Sequence, residues 1–274
     1  MLRVQGGGLQ PAISRLMYQS GKDTDRALKE LASGSRFVDA GVDPASQAIS
    51  EKLRGQIKGF QAARNNAENA SSFVQVAEGA LNEQNNILIR MRELAVQSAS
   101  DTYSSEEREF LNYEYEGLNQ ELERIAQSTK FGSMKLLTGD KQDLEFQVGV
   151  NAGPENKIDV TMDLNTTVDV LGTGGTDVTS NSDARDSLDS LDGALVAING
   201  ARAKLGAVQS RLDTAVNHTY TQQEALENAR SKMADADIVS SISRVRRGEI
   251  LLQYQAAALR GGMDMQQAAL KLIG

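Results

Sequence analysis

One apolar stripe dominates the chain between residues 45 and 100. Apolar and small residues, with one glutamine among them, recur there at alternating steps of three and four for about seven heptads. This period predicts a single helix about 80 Å long at about 1.5 Å per residue, and a helix of that length must lie beside other long helices. The stripe consists of Ile49, Leu53, Ile57, Phe60, Ala63, Ala67, Ala70, Val74, Ala77, Leu81, Gln84, Leu88, Met91 and Ala95.

Two further stripes predict helices that can pack against the first one. Residues 104–128 begin with Ser104 and, three residues later, Glu107, which is the capping-box pattern that bonds the first backbone N–H groups of a helix. Three amphipathic helices with narrow apolar faces predict a mainly α fold, an elongated antiparallel and coiled-coil-like helical bundle. The two stripes are Leu111, Tyr115, Leu118, Leu122 and Ile125, and then Leu188, Leu191, Leu195, Ile198, Ala201, Leu205, Val208, Leu212 and Ala215.

Between these helices the hydrophobic period changes to 2. Apolar and polar residues alternate along residues 142–164 on both sides of the turn-rich "NAGPEN", which predicts a small β-hairpin with one buried face. Residues 165–184 are mostly Gly, Thr, Ser and Asp, so we expect a short loop there with little to bury. The alternating apolar residues are Leu144, Phe146, Val148, Ile158, Val160, Met162 and Leu164.

Each end of the chain carries its own apolar stripe. The two stripes can pair only if the chain runs out and back, so we expect both termini at the same tip. Two helices cannot enclose their apolar faces alone, and the remaining surface therefore predicts contact with further copies of the chain. The stripes are Ile13, Met17, Thr24, Leu28 and Leu31, and then Ile238, Ile242, Val245, Leu252, Ala256, Leu259, Met263, Leu270 and Ile273.

A joint separates the N-terminal stripe from the long one. In "LASGSRFVDAGVDPASQAIS", residues 31–50, two glycines and a proline interrupt the helical pattern, and a new pattern starts directly after them. We therefore predict a hinge at Gly41 and Pro44.

Composition excludes several classes of function. The chain has 37 Asp and Glu against 29 Lys and Arg, a net charge of −8, which argues against a nucleic-acid partner. It has no Cys and only one His, His218, so disulfides, thiolate sites and histidine clusters are excluded. No pattern indicates a catalytic, cofactor or metal site, and we expect no enzyme activity. No secretory signal or membrane-spanning run is visible, so we expect a cytoplasmic protein or one exported by another route.

Several long blocks resemble bacterial flagellin. They include "ASQAISEKLRGQIKG", "LNQELERIAQSTKFGSMKLLTG" and "LGAVQSRLDTAV", and together they cover residues 25–151 and about 201–259 in the order of that family. The resemblance implies a compact flagellin, a structural subunit that is exported unfolded through the flagellar export apparatus. It would polymerise into the helical filament of the flagellum at the cell surface, where the filament converts rotation into thrust.

The resemblance also implies a division into domains. The two ends would pair as an inner helical domain that lines the filament tube, the middle would form a rod, and a loop would stand in place of variable outer domains. The apolar side chains of Ile242, Val245, Leu252, Leu259 and Met263 would pack between subunits in the inner layer. The implied boundaries are 1–44 with 229–274 for the inner domain, 45–164 with 185–228 for the rod including the hairpin near 142–164, and 165–184 for the loop.

The partners that the resemblance implies are further copies of the chain, an export chaperone that binds the C-terminal helices from about Asp235, and the filament cap and hook-junction proteins. Arg90, Leu94 and Glu114 match the positions where the family contacts the animal innate immune receptor for flagellin. The alternative is that Arg90 and Glu114 are ordinary solvated charges beside a packing face. Two other functions stay open: a hook–filament junction protein, which "VDPASQAI" favours, and a cell-surface adhesin or polysaccharide-binding protein.

Overall fold

The computed structural model describes residues 9–39, 41, 43–140 and 142–273, so the first eight residues of the predicted inner domain lie outside it. The predicted mainly α fold is confirmed, with long helices and two small antiparallel hairpins. In the described residues the elements are α1 (Leu9–Ser33), α2 (Pro44–Ser98), α3 (Ser105–Ser128), β1 (Lys130–Phe131), β2 (Met134–Lys135), β3 (Gln142–Gln147), a 3-10 turn (Pro154–Asn156), β4 (Lys157–Met162), α4 (Val168–Leu171), α5 (Asn181–Ala234) and α6 (Ile238–Ile273).

The chain divides into two compact units. The first consists of the described parts of Met1–Ile57 and Glu224–Gly274, which include α1 and α6, and the second is Lys58–Gln223. The domain boundaries that the sequence predicts at residues 44 and 229 stay predictions.

The core of the second unit is built from the long stripe of α2. Its members from Ala63 to Ala95 are buried, and they pack with α3 and α5 residues such as Leu122 and Ile198. The glutamine in this stripe, Gln84, is fully buried, and its Nε2 donates to the backbone oxygens of Leu122 at 3.2 Å and Thr166 at 3.4 Å. These two bonds offset the cost of placing an amide in an apolar core.

The start of α3 has the capping box that the sequence predicts. Ser104 Oγ accepts from the Glu107 backbone N–H at 3.3 Å, and the Glu107 carboxylate accepts from the Ser104 N–H at 2.7 Å. The bond from the Ser104 backbone holds the pKa of Glu107 below its usual value. The helix therefore begins at Ser105 because its first free N–H groups already have partners.

The predicted β-hairpin is present, and a second one was not predicted. Strands β3 and β4 pair antiparallel with Leu144 opposite Val160 and Phe146 opposite Ile158, which places these four apolar residues on one face. The shorter pair, β1 and β2, turns at Gly132, whose φ of +61° favours glycine. Both hairpins contact α2 through Phe73, because its ring lies 6.0 Å from Phe146 and 5.5 Å from Phe131 between centroids.

The segment 165–184 differs from the loop that the sequence predicts. It contains α4, and Leu171, Thr173 and Val178 are buried, so the expectation that it buries little is wrong. Polar side chains of α3 hold its backbone: Asn119 Nδ2 donates to Thr173 O at 2.9 Å, and Asn112 Oδ1 accepts from Val178 N at 3.1 Å. This segment of mostly small polar residues therefore packs through hydrogen bonds as well as through a few buried apolar side chains.

Candidate assembly site on the terminal helices

Helix α1 packs antiparallel against α6 in the first unit, which confirms the pairing of the two ends. The two predicted stripes face each other in part: Thr24 and Val245 are buried in the pair and Leu252 is half-buried, whereas other members lie outside it. Leu28 is 49% exposed and Ile242 is 46% exposed. The most deeply buried residues of the pair are mostly small or polar, which allows the two helices to approach closely. The buried residues are Thr24, Ala27 and Glu30 on α1, and Ser241, Val245 and Gly248 on α6.

Many large apolar side chains of both helices lie outside the pair. Tyr18 and Tyr254, for example, are 74% and 71% exposed. Monomeric proteins rarely leave contiguous apolar surface of this kind uncovered. Large apolar residues that are more than a third exposed on α1 and α6 include Leu16, Tyr18, Leu28, Ile238, Val239, Ile242, Ile250, Leu251, Tyr254, Met263 and Met265.

A buried carboxylate joins the two helices. The Glu30 side chain is only 2% exposed, and its Oε2 accepts hydrogen bonds from Ser241 Oγ at 3.2 Å and from Arg244 Nη2. Arg244 also donates to Ser241 Oγ at 2.8 Å, and Arg26 Nε lies 3.4 Å from Glu30 Oε1. The charge is thus paired from both helices, as a buried charge must be. Sequence reasoning missed Glu30, because a glutamate inside a helix normally indicates a solvated face.

The joint after α1 is tied to the end of α5 by backbone bonds. Gly34 takes φ +67° and ends α1 by donating to Glu30 O at 2.9 Å, an αL cap. Gly34 O then accepts from Ala236 N at 2.9 Å, and Arg36 N donates to Ala234 O at 2.7 Å. The connection between α1 and α2 and the connection between α5 and α6 therefore form one short antiparallel bridge.

The predicted hinge residues lie just beyond this bridge. Gly41 is in an exposed turn, and Pro44 is the first residue of α2, where its fixed φ suits a helix start. Asp43 Oδ1 accepts from Ser46 N at 3.1 Å, and its other oxygen accepts from Arg36 Nη2 at 3.0 Å. The Ser46 hydrogen bonds, aided by Arg36, hold the pKa of Asp43 below its usual value. The role of Gly41 and Pro44 as a hinge stays a prediction.

The five residues predicted to pack between subunits differ in exposure. Val245 is only 8% exposed, so α1 and α6 cover it within one chain. Leu252 and Leu259 are half-buried. Ile242 and Met263 are 46% and 48% exposed, which leaves about half of each side chain available to a second copy. As contacts between subunits, all five stay predictions.

The three residues of the predicted receptor patch do not share one environment. Arg90 and Glu114 are exposed and form an ion pair at 2.7 Å, which raises the pKa of the Arg90 guanidinium, and Arg90 also pairs with Glu93 at 3.0 Å. Leu94 is fully buried in the core, so its side chain cannot be contacted from solvent in this conformation. The patch stays a prediction that depends on Arg90 and Glu114.

In the described part of the chain, no group of three or more His, Asp or Glu side chains could hold a metal ion. In the same residues, no helix combines the length and hydropathy that a membrane span needs.

Comparisons with known proteins match both halves of this architecture. The family described as the bacterial flagellin N-terminal helical region matches residues 8–142, and the bacterial flagellin C-terminal helical region matches residues 188–273. A flagellin of Halalkalibacterium halodurans is 37% identical over 90% of this chain and 91% of its own length. The flagellar filament 30.7 kDa core protein of Treponema maltophilum is 34% identical over 90% of each chain, and a flagellin of Bacillus subtilis is 32% identical over 91% and 92%.

Two solved structures are similar as well. The crystal structure of Bacillus cereus flagellin is 29% identical with a TM-score of 0.50, and the similarity covers 57% of this chain and 88% of that one. A putative flagellar hook-associated protein from Vibrio parahaemolyticus has a TM-score of 0.59 over 71% of this chain and 100% of its own. At 14% identity, that second similarity concerns the fold alone.

Proposed function

Because the chain belongs to the bacterial flagellin family, we propose that it polymerises through its two terminal helices, whose uncovered apolar side chains pack against further copies. The chain is a structural subunit of the bacterial flagellar filament. Such a subunit acts mechanically, by forming the filament that rotates, and the proposal concerns which surface holds the copies together.

The observation that carries the proposal is the apolar surface that the pair of α1 and α6 leaves uncovered. Large side chains such as Ile250 and Tyr254 lie in solvent, while the most deeply buried residues of the pair are mostly small or polar. Covering one Leu, Ile or Met side chain fully stabilises an assembly by about 1.5–3 kcal/mol. The many half-exposed side chains on this pair can therefore contribute several such increments to the free energy of polymerisation.

We extend the proposal to the route by which the subunit reaches the filament. The filament lies at the cell surface, so the subunit must leave the cell, and the flagellar export apparatus would carry it unfolded. Helix α6 exposes Ile238, Val239 and Ile242 in one stretch, and an export chaperone would cover these residues before secretion. The filament cap and the hook-junction proteins would be the further partners at the two ends of the polymer.

The exposed Arg90–Glu114 ion pair is the part of the chain that would meet an animal innate immune receptor for flagellin. The pair joins α2 to α3 on the surface of the second unit, and both side chains are nearly half exposed. An exposed ion pair contributes little to folding, so its replacement separates a role in binding from a role in stability.

Electron microscopy of the purified protein tests the proposed function directly, since a filament subunit forms filaments. Leu252→Glu should prevent them, because the half-buried Leu252 would bring an unpaired charge into the contact between copies. Val170→Glu is the control, since Val170 is 60% exposed on α4, outside the terminal helices. Normal filaments from the Leu252 variant would refute the proposed surface.

A further inference from the structure

All the sulfur of this chain is in methionine. The chain has eight methionines and no cysteine, so the thioether is its only sulfur group that a peroxide can oxidise. Oxidation converts a flexible apolar side chain into a polar sulfoxide, and it proceeds fastest where the sulfur is accessible. The place of each methionine in the fold therefore decides which ones a peroxide reaches and what their oxidation changes.

The methionines whose side chains the structure describes differ widely in exposure. Met91 is fully buried in the core of the second unit. Met263 and Met265, both on α6, are 48% and 72% exposed, and among the described side chains they are the methionines that are more than a third exposed. The others are half-buried: Met17, Met134 and Met233.

Helix α6 is open on more than one side at these two methionines. Successive residues of a helix are about 100° apart around its axis, so Met263 and Met265 point about 200° apart. Asp264 between them is exposed as well. If α6 separates from α1 in the free subunit, the two thioethers become more accessible still, so their exposure does not require the helix pair.

We propose that Met263 and Met265 are oxidation sites that govern assembly. Hydrogen peroxide converts their thioethers to sulfoxides in the free subunit, and the sulfoxides keep that subunit out of the filament. This inference rests on the proposed function, since it requires that copies pack on α6. Once a subunit has joined, the neighbouring copies cover both thioethers and shield them from peroxide.

The reaction transfers one oxygen atom from peroxide to sulfur. A lone pair of the methionine Sδ attacks one peroxide oxygen, and the S–O bond forms as the O–O bond breaks. The hydroxyl group now on sulfur gives its proton to the departing hydroxide, which leaves as water. Sulfur loses two electrons and peroxide gains them, so the step needs no further oxidant, and the accessibility of each thioether governs its rate.

The sulfoxide opposes assembly because its oxygen needs a hydrogen-bond donor. A thioether between two copies makes apolar contacts and needs no partner, whereas a polar oxygen buried there without a donor is costly. In the free subunit the same oxygen stays in water. We therefore expect the two sulfoxides to raise the concentration needed for polymerisation about tenfold, which corresponds to about 1.4 kcal/mol.

The test compares the unmodified subunit with the double variant Met263→Leu and Met265→Leu. Leucine has about the same volume as methionine, and it has no sulfur to oxidise. Both free subunits are treated with hydrogen peroxide, the peroxide is removed, and the polymerisation threshold is measured by sedimentation. The threshold of the unmodified subunit should rise about tenfold, whereas that of the leucine variant should stay the same although its other methionines meet the same peroxide. An equal rise in both, or no rise in the unmodified subunit, would overturn the proposal.

Mass spectrometry of peptides shows where the oxygen is added. In the free subunit Met263 and Met265 should be oxidised first and Met91 last. In the assembled filament the same peroxide should oxidise Met263 and Met265 much more slowly. Equal rates in the two forms would mean that neighbouring copies do not cover these side chains, and would overturn the proposal.

Reduction of the sulfoxides separates this modification from other damage. Methionine sulfoxide reductases, one for each sulfoxide epimer, should return the threshold of the oxidised subunit to its original value. A threshold that stays high after both sulfoxides have been reduced would overturn the proposal, because a different lesion would then block assembly.

Glutamine serves as a permanent counterpart of the sulfoxide, because it is polar and of similar length. Met263→Gln with Met265→Gln should raise the threshold about tenfold without any peroxide. Val170→Gln is the control, since Val170 is 60% exposed on α4, outside the terminal helices, and its threshold should not change. An equal rise in the control would overturn the proposal.

Failure of the proposed function and failure of this inference give different results. If the untreated, unmodified subunit forms no filaments, the proposed function fails and this inference fails with it. If filaments form but oxidation of Met263 and Met265 leaves the threshold unchanged, only this inference fails.

Discussion

Truncation of Ile242 measures how much a single side chain of the terminal helices contributes to assembly. Ile242 is 46% exposed in the subunit, so about half of its side chain is left for a second copy to cover. Full burial of an isoleucine stabilises by about 1.5–3 kcal/mol, and half of that is about 1 kcal/mol. Ile242→Ala should therefore raise the concentration needed for polymerisation about fivefold, because about 1.4 kcal/mol corresponds to a factor of ten.

The assay is sedimentation of filaments from a concentration series, with circular dichroism of the free subunit to show that helix content is unchanged. Ile89→Ala is the matched control. Ile89 has nearly the same exposure, 45%, but lies on α2 in the second unit. We expect Ile89→Ala to change the polymerisation threshold much less than Ile242→Ala. Equal effects would mean that the free energy of assembly is not concentrated in α1 and α6, and would refute the proposed surface.

Three further predictions address other parts of the chain. Arg90→Ala with Glu114→Ala should abolish signalling by the free subunit through the animal flagellin receptor while leaving helix content unchanged; no signalling by the unmodified chain would contradict the predicted patch. A dilute protease should remove the ends of the free subunit and leave a core near residues 45–228, because each terminal helix is covered on only one face there. The filament should resist cleavage at the same bonds. Mass spectrometry of the cleavage products of both forms measures this, and equal protection of the ends in both forms would favour the adhesin alternative. The depressed pKa of Asp43 means that its contribution to stability is present above its unfolded-state pKa of about 3.9 and is lost as the pH falls through the lower folded value. The difference in Tm between the unmodified chain and Asp43→Asn should therefore be present at neutral pH and shrink below about pH 4; a difference that does not depend on pH would contradict it.

Long periodic patterns predicted the longest helix well. The stripe from Ile49 to Ala95 predicted a helix at 45–100, and α2 runs from Pro44 to Ser98. The capping box at Ser104 was predicted from two residues, because its bonds are local and depend on sequence spacing alone. By contrast, β1 and β2 have two residues each, too few to show an alternating pattern.

The faces that α1 and α6 turn toward each other could not be predicted in the same way. Hydrophobic periodicity assumes that the largest apolar residues face inward, and the predicted stripes do include the buried Thr24 and Val245. The pair also buries Glu30 and Gly248 and exposes Ile242, which periodicity does not predict. One signal was available. Gly248 lies inside a helical pattern without a cap or turn to explain it, and such a glycine often marks a close approach of two elements.

Family resemblance and periodicity disagreed at Leu94. The resemblance placed Leu94 in a surface patch with Arg90 and Glu114, whereas Leu94 directly precedes Ala95 in the core stripe and is three residues from Met91. The structure buries all three apolar residues completely. The match of residue types therefore agrees with the exposed position of the charged pair, but it does not predict that Leu94 is buried.

The backbone anchors of residues 173–178 make this chain a suitable carrier for a foreign peptide. Asn119 holds Thr173 and Asn112 holds Val178, while Gly174 and Gly175 between them are exposed, with open space around Gly175. A peptide inserted at Gly175 would be held at both ends by these two hydrogen bonds, which could stay in place. If each subunit of a filament carried such an insert, the polymer would display it as a dense, regular array.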